Sequence, residues 1–144
     1  MKKESYTLLA NSANTYNFVS VGKRGEILKG VYFEEIGINL YNLVLLDYDY
    51  ESKMWSDESI SDNGDIITIM ATIVQIIKVF LNQNKESVVF FKGNSVSRQK
   101  LYNRIVQNYF EELSEYFAIW GSFENEREIV IKNKYYQAFY INIK

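Results

Sequence analysis

The chain has 144 residues, 47% of them hydrophobic, and 16 basic against 18 acidic side chains for a formal net charge of −2. That is enough chain for one domain with a buried core, and so small a net charge leaves any binding of nucleic acid or an anionic membrane surface to a local patch. Histidine, cysteine and proline are absent, which excludes Ser-His-Asp and Cys-His nucleophile systems, zinc sites with imidazole or thiolate ligands, and disulfides, and leaves carboxylate, Lys or Tyr for any acid–base chemistry.

The amino-terminal MKKESYTLLANS carries too short an apolar segment for a signal peptide, and no uninterrupted apolar run reaches the length of about 18 residues that a membrane span needs. A cytoplasmic chain with no membrane association is therefore expected. No metal and no cofactor is expected either.

Thr15 to Val21 is rich in β-branched and aromatic residues and predicts a strand. Gly22-Lys23-Arg24-Gly25 predicts a turn into a second strand from Ile27 to Phe33. The G-x-x-G spelling with two basic residues is shared with the RNA clamp of KH domains, but that loop joins helices, and strands flank this one. A hairpin tip is the better reading. Ile38 to Tyr50 predicts a third strand, with Tyr41, Leu43 and Leu45 alternating against Asn42, Val44 and Leu46.

From Asp47 to Asp65 the chain is acidic. Asp47, Asp49, Glu51 and Glu58 fall at positions 1, 3, 5 and 12 of a calcium-loop register, yet Ser52 stands where glycine is needed and a strand precedes the loop, so a solvated linker is expected. Ser61-Asp62-Asn63-Gly64-Asp65 opens a helix from Ile66 to Leu81 with Asp or Asn as its cap. Thr68, Thr72, Gln75 and Lys78 form its narrow polar stripe. Such a helix needs more cover than one sheet supplies, from a second helix or a dimer partner. A strand over Ser87 to Phe91 follows.

The spacing of Leu101, Tyr102, Ile105, Val106, Tyr109, Phe110 and Leu113 predicts one helix from Ser97 to Glu115. Its charges run against the macrodipole, with Arg98, Lys100 and Arg104 at the start and Glu111, Glu112 and Glu115 at the end. Something outside the helix must offset this. An anion site would do so: Lys92, Gly93, Ser95 and Ser97 lead into the helix with hydroxyls and backbone N–H groups, and Arg98, Lys100 and Arg104 would face a phosphate or carboxylate. The alternative is neighbouring carboxylates paired with the basic end and an ordinary serine cap. The loop lacks the G-x-x-x-x-G-K-[ST] spacing of a P-loop.

Tyr116 to Phe123 predicts a strand, Glu124-Asn125-Glu126 a turn, and Arg127 to Ile131 and Ala138 to Ile143 two further strands. The expected fold is α+β, a single domain over residues 1–144 with a mostly antiparallel sheet and two main helices in the order β-β-β-α-β-α-β-β-β. The strand at Val88 should be central, parallel to a neighbour and covered on both faces.

The set TYNFVSVGKRGEILKGVYF, Asn63-Gly64-Asp65, ATIVQII and KGNSVSRQKLY resembles a family of short, uncharacterised bacterial proteins known only as a domain of unknown function, over nearly the whole chain. The resemblance implies one domain and transfers no activity. The order of elements is also similar to the core of the acetyltransferase superfamily, which implies acetyl-CoA held by its pyrophosphate on a [RQ]-x-x-G-x-[GA] loop. Here Ser61-Asp62-Asn63-Gly64-Asp65 stands at that place, with two carboxylates and no Arg or Gln.

The leading expectation is a non-catalytic interaction module, as of a bacterial stress, defence or toxin–antitoxin system, with a protein partner or homodimer. A nucleic-acid or nucleotide-phosphate binder using Lys92 to Arg104 is the alternative, and an acyltransferase-like enzyme using CoA a further one.

Overall fold

A computed structural model of the chain describes residues 4–56 and 63–144. In chain order the elements are β1 Leu9–Ala10, β2 Thr15–Gly22, β3 Gly25–Gly37, β4 Leu40–Asp49, β5 Met54–Ser56, α1 Ile66–Gln83, β6 Val88–Phe91, α2 Val96–Asn108, α3 Phe110–Tyr116, β7 Phe117–Phe123, β8 Glu126–Ile129 and β9 Ala138–Ile143. The strands form one sheet in the order β1-β2-β3-β4-β6-β9-β7-β8, with β5 paired to β4. Every pairing is antiparallel except that of β4 with β6. The α+β class and the mostly antiparallel sheet agree with the sequence reading. The order of elements needs correction, because β1 and β5 are additional and the second helix is two.

Strand register explains the core. Tyr16 stands opposite Val31, Phe33 opposite Leu43 and Tyr41 opposite Val89, so these side chains share one face of the sheet. Phe80 of α1 stacks on Phe33 and Tyr102 of α2 meets Phe91 edge-on, which puts both helices on that face. Val88 and Phe90, on the other face of β6, are only half-buried. The expectation of cover on both faces of this strand is thus corrected: its apolar run reflects aromatic packing across the open face, where Phe90 lies against Tyr140 with ring centroids 5.0 Å apart.

Helix α1 has the length and hydropathy of a membrane span over its 18 residues, and it is packed as the core helix. Ile67 is its one exposed large apolar residue. The amino-terminal segment supplies the additional cover: Tyr6 stacks on Phe18 and its N–H donates to the buried hydroxyl of Thr72 at 2.8 Å, on the polar stripe, while Leu8 packs beside it. Part of the α1 face that the sheet leaves free is thus covered by the amino-terminal segment, and Ile67 stays exposed.

The expected single helix over residues 97–115 breaks at Tyr109 (φ −112°, ψ 17°). Tyr109 N–H closes α2 on Ile105, and its carbonyl accepts from Leu113 to start α3. The break answers half of the charge puzzle, since Glu111 and Glu112 now occupy the first turn of a helix, where the dipole favours them. Glu112 also reaches Lys78 of α1 at 2.9 Å.

Candidate functional site

Two clusters of polar groups organise the molecule, and the first is structural. Asn63, only 2% exposed, holds the β2–β3 turn onto the start of α1. Its amide donates to Ser20 Oγ and to the Gly25 carbonyl, each at 3.0 Å, and its side-chain and main-chain oxygens accept from Arg24 N and Lys23 N. Asp65 stands at the N-cap position of α1 without a side-chain bond to its first turn, and instead accepts from Ser20 Oγ at 2.6 Å and from the Tyr6 hydroxyl. Burial and, next, the bond to Asp65 push the Tyr6 phenol above its ordinary value. The Gly22-Lys23-Arg24-Gly25 segment is the hairpin tip that the sequence implied, engaged by its own chain. Ser61, Asp62 and Glu58 lie outside the described residues, so the helix opening and the calcium register are seen only in part. Within that register Asp47 is buried against Lys29 at 2.7 Å, and Asp49 accepts from Glu51 N and Ser52 Oγ. Among the described residues no group of three or more acidic side chains is placed to hold a metal.

The second cluster lies where the sheet opens. β6 pairs with β4 only from Leu40 to Asn42, and β5 pairs with it only from Asp47 to Asp49. Between these ranges, residues 43–45 of β4 lie beside Lys92, Asn94 and the start of α2 at Arg98. Asn42, Leu43, Val44, Leu45, Lys92, Asn94, Arg98 and Tyr102 enclose a cavity of about 100 Å³ there.

The residues expected to form an anion site separate into groups. Lys92 and Arg98 both line the cavity. Arg98 is 3% exposed, and its Nη1 donates to the Leu45 carbonyl at 2.8 Å, so it is part of the wall. Ser95 caps α2 by accepting from Arg98 N at 3.2 Å. Gly93 is needed for close approach, since a Cβ there would overlap the Gln99 main chain, and its N–H donates to Gln99 Oε1 at 2.6 Å. Ser97, Lys100 and Arg104 are exposed and are not among the residues lining the cavity.

Sequence reasoning did not bring Asn42 or Tyr102 to the cavity, though Asn42 does alternate against Tyr41 and Leu43, its amide donating to Glu34, and Tyr102 is in the core. It assigned no role to Gln99 and Asn103. Both are buried, because they hold an irregular segment: Gln99 Nε2 and Asn103 Nδ2 donate to the Tyr136 carbonyl at 2.9 and 2.8 Å, and Asn103 Oδ1 accepts from Tyr136 N at 2.9 Å. Gln107, one turn on, bonds Lys134 O and Asn133 N in the same way. Their spacing of four residues was visible, and their partners were not.

The architecture is that of an α+β protein with all its core helices on one face of a mixed sheet and a polar cleft at the parting of its two parallel strands. The chain belongs to a family of unknown function (DUF6934), whose model matches residues 2–144. No curated protein and no solved structure matches it.

Proposed function

We propose that the protein is a non-catalytic binding module that takes an anionic group, phosphate or carboxylate, in the cleft between β4 and β6. The observation that carries this reading is the position of Lys92. It is exposed at the rim of a cavity whose other polar walls are Asn94, Arg98 and Tyr102, and no ion pair of Lys92 exists among the described residues. The cleft lies beyond the carboxyl end of β6, beside residues 42–45 of β4, which runs on past it to Asp49. A cavity of about 100 Å³ has room for about three waters. That suits one oxyanion group with the rest of its ligand outside.

The start of α1 supports a binding module over a CoA-dependent enzyme. A pyrophosphate there would meet the Asp65 carboxylate, and the turn amides of Lys23 and Arg24 already donate to Asn63.

Thermal shift with inorganic phosphate, nucleoside monophosphates, CoA and a single-stranded oligonucleotide tests the proposal. A bound ligand at one hundred times its dissociation constant adds about 2.7 kcal/mol of stability. Stabilisation by phosphate or a nucleotide that weakens with salt and is lost in Lys92→Ala is the expected result. No stabilisation, or stabilisation that survives Lys92→Ala, overturns it.

A further inference from the structure

A separate site lies on the open face of the sheet, away from the helices. Asn17, Gly30 and Leu46 stand side by side across β2, β3 and β4, and Thr15, Tyr32 and Val44 form the adjacent row. Because residue 30 has no side chain, the middle of this surface is a depression. Trp55 of β5 leans over it: at the point where a Cβ of residue 30 would stand, Trp55 Cζ3 is 3.2 Å away and Asn17 Oδ1 3.4 Å away. An indole and a side-chain amide thus converge on one spot.

Two properties of this spot bear on what it takes. Asn17 Oδ1 is buried and accepts no hydrogen bond among the described residues, and a buried acceptor without a donor is costly compared with one that is satisfied. Beside it is a hollow of about 290 Å³ lined mainly by Tyr32, Leu46, Trp55, Thr15 and Asn17. Its walls are largely apolar and aromatic. Trp55 itself is 40% exposed on a three-residue edge strand, and its ring meets that of Tyr48 edge-on with centroids 5.1 Å apart.

The geometry points to a binding site for a small, flat, uncharged ring bearing an N–H, of the lactam or nucleobase class. The ring stacks on Trp55 and its N–H donates to Asn17 Oδ1, replacing the indole as cover for that oxygen. The aromatic wall selects a planar partner, the acceptor selects a donor, and the volume, at the small end for ligand pockets, limits it to one or two fused rings. No charged side chain lines the hollow, so an ionic ligand has no counter-charge there.

The test uses 1H-quinolin-2-one as the probe and its N-methyl derivative as the control, titrated into the whole chain while the Trp55 indole and Asn17 amide signals are followed by NMR. The expected result is saturable shifts at both residues with the N–H compound and at least about tenfold weaker binding of the N-methyl compound, the loss of one hydrogen bond to a buried acceptor. Asn17→Leu should remove that preference, and Trp55→Ala should weaken both compounds. Should Asn17→Leu fail to fold, the comparison of the two compounds and Trp55→Ala, at an edge position, still decide the matter. Absence of saturable binding, equal binding of both compounds, or full affinity in Trp55→Ala overturns the assignment.

Discussion

Arg98 donates through Nη1 to the main-chain carbonyl of Leu45 at 2.8 Å, from the first turn of α2 to the stretch of β4 that β6 has left and β5 has not reached. A buried cation at the positive end of a helix opposes the dipole, so the position is held by what the guanidinium bonds. Arg98→Ala should therefore destabilise the fold by about 2–3 kcal/mol, since it leaves a carbonyl facing a hole and removes a charged donor. Chemical denaturation measures this. A loss under about 0.5 kcal/mol, the range of neutral surface substitutions, would show that Arg98 has no structural part and is available to a ligand.

Ile77 lies in the middle of α1, 1% exposed, in the cluster that joins Phe33, Phe80 and Val89. Ile77→Ala should cost about 2–5 kcal/mol through lost burial and the cavity left behind. An unchanged denaturation midpoint would make α1 peripheral.

Asn63 is the next sensitive position. It links the hairpin tip to the helix start through both oxygens and its amide, and its removal strands several of those donors and acceptors away from water. Asn63→Ala should lower stability by at least about 2 kcal/mol. Asn63→Asp should be nearly as damaging, because the amide donors to Ser20 and Gly25 are lost beside the Asp65 carboxylate. If Asn63→Asp retains full stability, the two donor bonds carry no weight. Gly22→Ala provides an independent check, as its Cβ would overlap the Asn63 carbonyl.

How far the sequence disclosed this molecule depended on the range of the interaction. The Gly22-Lys23-Arg24-Gly25 hairpin, the start of α1 at Ile66 and the limits of β9 at Ala138 and Ile143 were legible because turn residues and apolar period are local. The break at Tyr109 was hidden, since Tyr109 and Phe110 keep the helical spacing through it. β1 and β5 are too short to show a period. The anion-site residues were chosen for charge and nearness in sequence, which united Arg98 with Lys100 and Arg104. Helical geometry instead sends Arg98 inward and the other two outward. Asn42 joined Lys92 at the cleft only because two strands part, a tertiary event with no sequence signature. Trp55 over Gly30 is hidden for the same reason.

The last prediction concerns pH. With no histidine in the chain, stability should be nearly flat from about pH 6 to pH 9, where neither carboxylates nor phenols titrate. Above that range tyrosine decides. Tyr6, Tyr16, Tyr41, Tyr109 and Tyr136 are all raised above the ordinary phenol value of 10.0, in each case first by burial, which disfavours phenolate. A phenol whose folded value exceeds its unfolded value contributes stability that is complete below pH 10 and is lost as pH rises through the unfolded and then the folded value, because the unfolded chain releases its proton first. The melting temperature should hold to about pH 9 and then fall steeply. Tyrosinate absorbance should reach its full value only as the fold is lost, because these five phenols ionise with unfolding. An unchanged melting temperature with ordinary ionisation of Tyr6, Tyr16 and Tyr136 would mean that their hydroxyls are open to water, contrary to the burial of Tyr16 and Tyr136 and the bond of Tyr6 to Asp65.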